Sequence, residues 1–160
     1  MPLVAKPPSA SVVEMTEVVM PSDANMFGTA FGGRIVQWTD LAAAVCAMRH
    51  AGVAVVTVSI DQLTFLAPIR IGHVALLRAQ VNAVFRSSME VGVEVVAENP
   101  LTGERHKCCD AYLSFVALGA DKRPAEVPRL LVESEEERRR ERDANSRRDA
   151  RLAQRAALCR

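Results

Sequence analysis

The segment from about Gly33 to His50, which reads RIVQWTDLAAAVCAMRH from Arg34 onward, limits what this chain can become more than any other. It has no proline and a run of alanines, the best helix formers, so it predicts a helix. Ile35, Val36, Trp38, Leu41, Val45, Cys46 and Met48 put apolar side chains on nearly every side of that helix. A helix without a polar face belongs in an interior. The rest of the chain must therefore wrap it.

The flanking segments supply the wrapping. Ser11–Met20 is a β-branched run ending at Pro21, a strand, and Pro21–Gly28 is rich in turn formers. After Gly52 come four more strand-like runs. Val53–Leu66 is dense in valine and threonine. His73–Phe85 alternates Ala75, Leu77, Ala79, Val81, Ala83 and Phe85. Met89–Ala97 sets Val91, Val93 and Val95 against Glu90 and Glu94. Lys107–Leu118 alternates Cys109, Ala111, Leu113 and Phe115. The expectation is an α+β fold: a strand, a loop, a long buried helix and an antiparallel meander of four strands. One sheet covers only one side of such a helix, so a second copy of the chain is expected on the other.

Residues 1–10 read as a flexible N-terminus, residues 11–131 as the domain and residues 132–160 as a charged tail, helical or disordered. The tail holds nine arginines against seven acids, with acids preceding bases along Glu133–Arg142, as favours a helix. Lacking an apolar stripe, it is expected to be a solvated, partly helical appendage. Over the whole chain 20 Lys and Arg balance 19 Asp and Glu, which argues against nucleic acid or an anionic membrane as a partner. No apolar run approaches the roughly 20 residues of a membrane span, and the N-terminus lacks the apolar core of a signal peptide. The expected setting is the cytoplasm. Cys46, Cys108, Cys109 and Cys159 form no CxxC pair, and His106 with Cys108 finds no second ligand pair, so no metal is expected.

One residue breaks the apolar helix. Asp40 has Val36, Ala43, Ala44 and Ala47 as its neighbours along the helix, and no Lys or Arg within a turn on that face. A carboxylate buried unpaired is costly, so a polar cavity, an interface or a reactive role is implied. At the helix start, Gly32 and Gly33 offer backbone N–H groups that have no partner within the helix. Such groups at the positive end of the helix dipole can hold an oxyanion. A glycine pair is also an ordinary loop-to-helix joint, and Asn25 is an ordinary turn residue able to aim its amide at the same oxygen. Eight residues separate Gly32 from Asp40, roughly 12 Å along the axis. Both cannot lie within about 3 Å of one reacting carbonyl. If both are catalytic, the site is shared between subunits.

Several stretches resemble the hotdog-fold acyl-CoA thioesterases, in particular the bacterial and cytosolic brain-type acyl-CoA hydrolases. They are MPSDANMFGTAFGGRIVQWTD (Met20–Asp40), VVTVSIDQLTFLAPIRIG (Val55–Gly72), FRSSMEVGVEV (Phe85–Val95) and DAYLSFVAL (Asp110–Leu118), in order over about residues 11–130. The resemblance implies a long helix wrapped by an antiparallel sheet, a homodimer at minimum and a trimer of dimers commonly. It implies hydrolysis of acyl-CoA to CoA and a carboxylic acid, with no cofactor. Asp40 would be the base or nucleophile, Gly32 the oxyanion donor and Asn25 its assistant. Gly33, Thr57, Arg86, Ser87 and Ser88 would bind substrate, the Arg-Ser-Ser run meeting the nucleotide end of CoA; a polar strand bend is the plain alternative there. Phe31 stands where some members have His, and Phe85 where glycine is frequent. Two other functions stay open: a hotdog hydratase or dehydratase, which usually needs a His with the helix acid, and, from the arginine-rich tail, a non-catalytic acyl-CoA sensor whose tail contacts a partner or nucleic acid. His50, at the helix end, reads more simply as a dipole-complementing or core histidine.

Overall fold

A computed structural model describes residues 2–159. The chain forms β1 (Val13–Val18), α1 (Gly32–Ala51), β2 (Ala54–Phe65), β3 (Val74–Val84), β4 (Ser88–Glu98), β5 (Arg105–Leu118) and α2 (Glu135–Leu158), with short 3-10 turns at Pro8–Ala10 and Pro21–Asp23. The strands make one antiparallel sheet in the order β1-β3-β4-β5-β2. The long helix lies across one face of it and touches all five strands. This is the hotdog arrangement expected from the sequence.

One part of the expectation needs correcting. Only β3, β4 and β5 form a meander. β1 holds the free edge of β3, pairing Val13 with Ala79, so β2 is displaced to the far edge and pairs with β5 alone. The Leu66–His73 connection carries the chain back across the sheet.

The helix sits close because both surfaces are built from small residues. Ala42, Ala43, Cys46 and Ala47 are fully buried against Ala75, Ala79, Ala97, Ala111 and Ala117 of the sheet. Ile35, Trp38, Leu77, Leu113 and Phe115 fill the ends. α1 ends at Gly52, whose φ of 70° is the left-handed cap that glycine tolerates best; its N–H bonds the Met48 carbonyl at 2.8 Å. The opposite side of α1 is not covered. Leu41 (53%) and Met48 (42%) are exposed, as are Val58 (56%) and Ile60 (42%) on the neighbouring edge strand.

The outer face of the sheet is polar, and α2 lies against it. Ser134 caps α2 in a reciprocal box with Glu137, and Glu135, Glu136 and Glu137 complement its dipole. Arg147 then reaches Glu90 of β4 with two bonds, at 3.1 and 2.7 Å, and stacks over the Tyr112 ring at 3.6 Å. Arg151 pairs with Asp61 of β2 at 2.8 Å. The solvated appendage expected from the sequence is thus a docked helix, held by charge where no apolar stripe exists. At the other terminus, Lys6 exchanges backbone bonds with the Arg129–Leu131 segment and its Nζ donates to the His50 carbonyl. Among the described residues no helix is long and apolar enough to cross a membrane.

Candidate active site

Asp40 stands midway along α1, half-buried, on the side that faces β2. Its carboxylate is not isolated in apolar surroundings, as the sequence had suggested. The Thr57 hydroxyl donates to Oδ1 at 2.8 Å. No charged side chain pairs with Asp40 among the described residues, and Oδ2 has no protein donor there. The carboxylate is therefore oriented by one neutral donor, with one oxygen free.

The shape of β2 makes this contact. Thr57 lies opposite Phe115, a buried inward residue of β5, so it points to the helix side. Directly afterwards the register slips, Ser59 pairing with Ser114, so Val58 is an extra residue. Bulges of this kind re-aim side chains at edges. Beyond it Ser59 and Asp61 face α2 instead. A second irregularity, with Gln62 at φ 50°, restores Phe65 to the helix side, opposite Cys109.

Gly32 is the first residue of α1, behind Phe31 as N-cap with no side-chain cap. The Gly32 and Gly33 N–H groups donate to no protein acceptor among the described residues, whereas Arg34 and Ile35 both bond the Phe31 carbonyl. Beside them is an apolar cleft of about 320 Å³ lined by Ala30, Gly32, Ile35, Phe65 and the Leu66–Pro68 segment. Because α1 is unbroken, Gly32 and Asp40 of one chain remain on different turns of the same helix.

Asn25 braces the loop that delivers Gly32. Its Oδ1 accepts from the Phe27 N–H at 2.9 Å, its Nδ2 donates to Thr29 Oγ1 at 3.0 Å, and its own N–H bonds the Thr29 carbonyl. Asp23 ties the same loop to the helix, accepting from Met20 N–H and pairing with Arg34 at 2.8 Å. Arg86 and Ser87 form the β3–β4 turn and Ser88 opens β4. Ser88 lies opposite Val116, which lies opposite Val56, so this turn is two strand spacings (roughly 10 Å) from the residue before Thr57. It shares the Asp40 end of the sheet, not the Gly32 end. The Arg86 side chain is 88% exposed and 3.8 Å from Glu126, a contact worth little by itself.

Two features near the site were not legible beforehand. Phe65 sits over Gly32: a side-chain carbon on Gly32 would meet the ring at 3.2 Å. Glu90, placed by its alternation on the polar face, is buried at 1% exposure and held by Asn82 and Arg147. Among the described residues no three His, Cys, Asp or Glu side chains gather in a way that could hold a metal. Burial pushes the Cys46 thiol up to about 11, and burial holds His50 below its usual value while its Nε2 bonds the Pro128 carbonyl at 2.9 Å. His50 is a core residue.

Residues 27–104 match the family described as the Thioesterase superfamily. An uncharacterized acyl-CoA thioester hydrolase of Bacillus subtilis is 41% identical over 127 residues, covering 79% of this chain and 74% of that protein. The chain belongs to the thioesterase superfamily. The acetyl-coenzyme A thioesterase of Mus musculus is 32% identical over 88% of this chain, which spans only 25% of the mouse protein. Among solved structures, an apo-hexameric acyl-CoA thioesterase superposes with a TM-score of 0.92 at 38% identity, covering 98% of this chain and 99% of that one. A Staphylococcus aureus acyl-CoA hydrolase in complex with butyryl coenzyme A and coenzyme A gives 0.89 at 34%, covering 96% and 94%. Three further structures of the S. aureus enzyme have one aspartate, one threonine or one asparagine replaced by alanine.

Proposed function

We propose that this protein hydrolyses acyl-CoA thioesters to CoA and a carboxylic acid, in active sites shared between two copies of the chain. The observation that carries the reading is the Thr57–Asp40 bond on an edge strand whose apolar side chains lie open. Asp40 Oδ2 takes a proton from a water molecule as the water oxygen attacks the thioester carbonyl. The carbonyl oxygen, now negative, receives N–H donation from Gly32 of the second subunit, with Gly33 beside it. The tetrahedral intermediate collapses, the C–S bond breaks, and the sulfur leaves as the CoA thiol with the proton that Asp40 returns. Thr57 fixes the carboxylate, and Asn25 keeps the loop before Gly32 in shape. Arg86, Ser87 and Ser88 offer a cation and hydroxyls to the phosphates of CoA, on the end of the sheet nearest Asp40.

The similar proteins support this. The three residue types exchanged for alanine in the S. aureus enzyme are spaced along its chain as Asn25, Asp40 and Thr57 are along this one. Its complexes with CoA support the substrate class, and the hexameric relative supports assembly into a homo-oligomer, a dimer at minimum and a trimer of dimers by analogy. Four free thiols fit a reducing compartment, and we place the protein in the cytoplasm on that ground.

The Asp40→Asn variant tests the chemistry. Thiol release from acyl-CoA should fall by roughly 10²–10⁴ while CoA still binds, the loss expected for a positioned base. Full activity in that variant would overturn the assignment.

A further inference from the structure

The apolar cleft at the start of α1 has a ring at its wall. Phe65 and Gly32 are drawn together by the second irregularity of β2, and the ring atoms Cε2 and Cζ lie 3.2 and 3.3 Å from where a Gly32 side chain would begin. The ring is 46% exposed, so it meets whatever occupies the cleft. No residue lining the cleft carries a charge. The two unpartnered N–H groups of Gly32 and Gly33 stand at the same place. A polar anchor directly beside an uncharged wall fits a ligand whose carbonyl oxygen is joined to a hydrocarbon chain. A nucleotide or a phosphate, by contrast, would find no cation there.

We propose that the acyl chain of the substrate enters this cleft and that Phe65 sets the length accepted. The inference rests on the thioesterase reading and adds to it the position of the acyl group and the residue that limits it. With the carbonyl oxygen on the Gly32 N–H, the first methylenes run along the Ala30 and Ile35 surface. The Phe65 ring then occupies the volume that a longer chain needs. Each further methylene buried is worth about fourfold in kcat/KM. A cleft walled on one side by a ring gives up that gain where the chain meets the wall, because overpacking displaces side chains from their preferred rotamers. Short and medium chains are therefore preferred by the native protein.

Thiol release measured across straight-chain acyl-CoAs, from acetyl to palmitoyl, tests this for the native protein, Phe65→Ala and Ala67→Phe. Phe65→Ala is expected to move the optimum to longer chains, raising the kcat/KM ratio of a long to a short substrate by about tenfold or more. Ala67→Phe, which adds bulk to the same wall, should move it to shorter ones. Inhibition by free CoA should stay at the native value in both, since neither residue touches the nucleotide end. Two variants that keep the native order of chain lengths would overturn the proposal. A native protein that releases no thiol from any acyl-CoA would overturn the thioesterase reading itself, a result distinct from an active enzyme with an unmoved length profile.

Discussion

Asp40 owes its orientation to one hydroxyl. A hydrogen bond to a charged group is worth about 1.5–3 kcal/mol, so removing it should cost roughly ten- to a hundredfold if the geometry of the carboxylate limits the rate. Thr57→Val keeps the shape of the strand and deletes the donor. Its kcat should fall by about that factor with KM little changed, as steady-state thiol release would record; an equal fall in Asp40→Asn and Thr57→Val would mean that Thr57 does more than orient. Asp40 was legible in the sequence because a lone acid among alanines and valines has few structural reasons to be there. Thr57 was singled out only through family resemblance, and as a substrate-binding residue, since nothing local in a valine- and threonine-rich strand tells which side chain a bulge will aim at the helix. His50 belongs to the same scale. Burial lowers its pKa, outweighing the opposing effect of the Pro128 carbonyl, while the nearby Lys6 charge adds to the lowering. The unfolded chain then binds a proton near the ordinary value of 6.5 that the folded chain refuses. Stability from this group is present above that pH and is lost as the pH falls through the folded value. The unfolding midpoint of the native protein should decline on acidification below about pH 6.5 more steeply than that of His50→Gln, in denaturant titrations at matched ionic strength.

At the scale of elements, α2 shows why charge-rich helices resist reading from sequence. Its helical bias was legible, since acids precede bases along Glu133–Arg142, while the capping box of Ser134 and Glu137 came only with the structure. Its docking was not. The partner of Arg147 is Glu90, on a strand whose alternation assigned it correctly to the polar face but gave no hint that a helix 57 residues on would cover that face. The pair is buried, with side-chain exposures of 15% and 1%, and Asn82 supplies a further bond to Glu90. Gly92 keeps the network open, as any side-chain carbon there would lie 2.6 Å from the Asn82 amide. Arg147→Ala leaves Glu90 as an uncompensated buried charge and should cost about 3–5 kcal/mol in chemical denaturation. Arg138→Ala, at an exposed pair on the same helix, should cost no more than about 1 kcal/mol. Equal costs would show that α2 does not hold the sheet through Glu90.

At the scale of the whole molecule, the proposed site requires a second copy of the chain. Its chemical groups lie at two places on one rigid helix, and apolar side chains stay open beside them: Leu41 and Met48 on α1, and Val58 and Ile60 on the edge strand β2. In the proposed site, a two-fold axis beside this patch would cover it and bring each Gly32 towards the opposite Asp40. The most direct test pairs two inactive chains. Gly32→Pro removes the one N–H at the first helical position; the extended Phe31 backbone ahead of it (φ −58°, ψ 136°) suits a following proline, and the Phe65 ring, 3.2 Å from the added side-chain carbon, has to give by a few tenths of an ångström. Co-expressed with Asp40→Asn under separate affinity tags, it gives mixed dimers in which one site has lost both groups and the other has kept both. Thiol release by the purified mixed dimer should therefore return to about half the native rate, while each parent stays inactive. Mixed dimers as inactive as their parents would contradict a site built from two subunits.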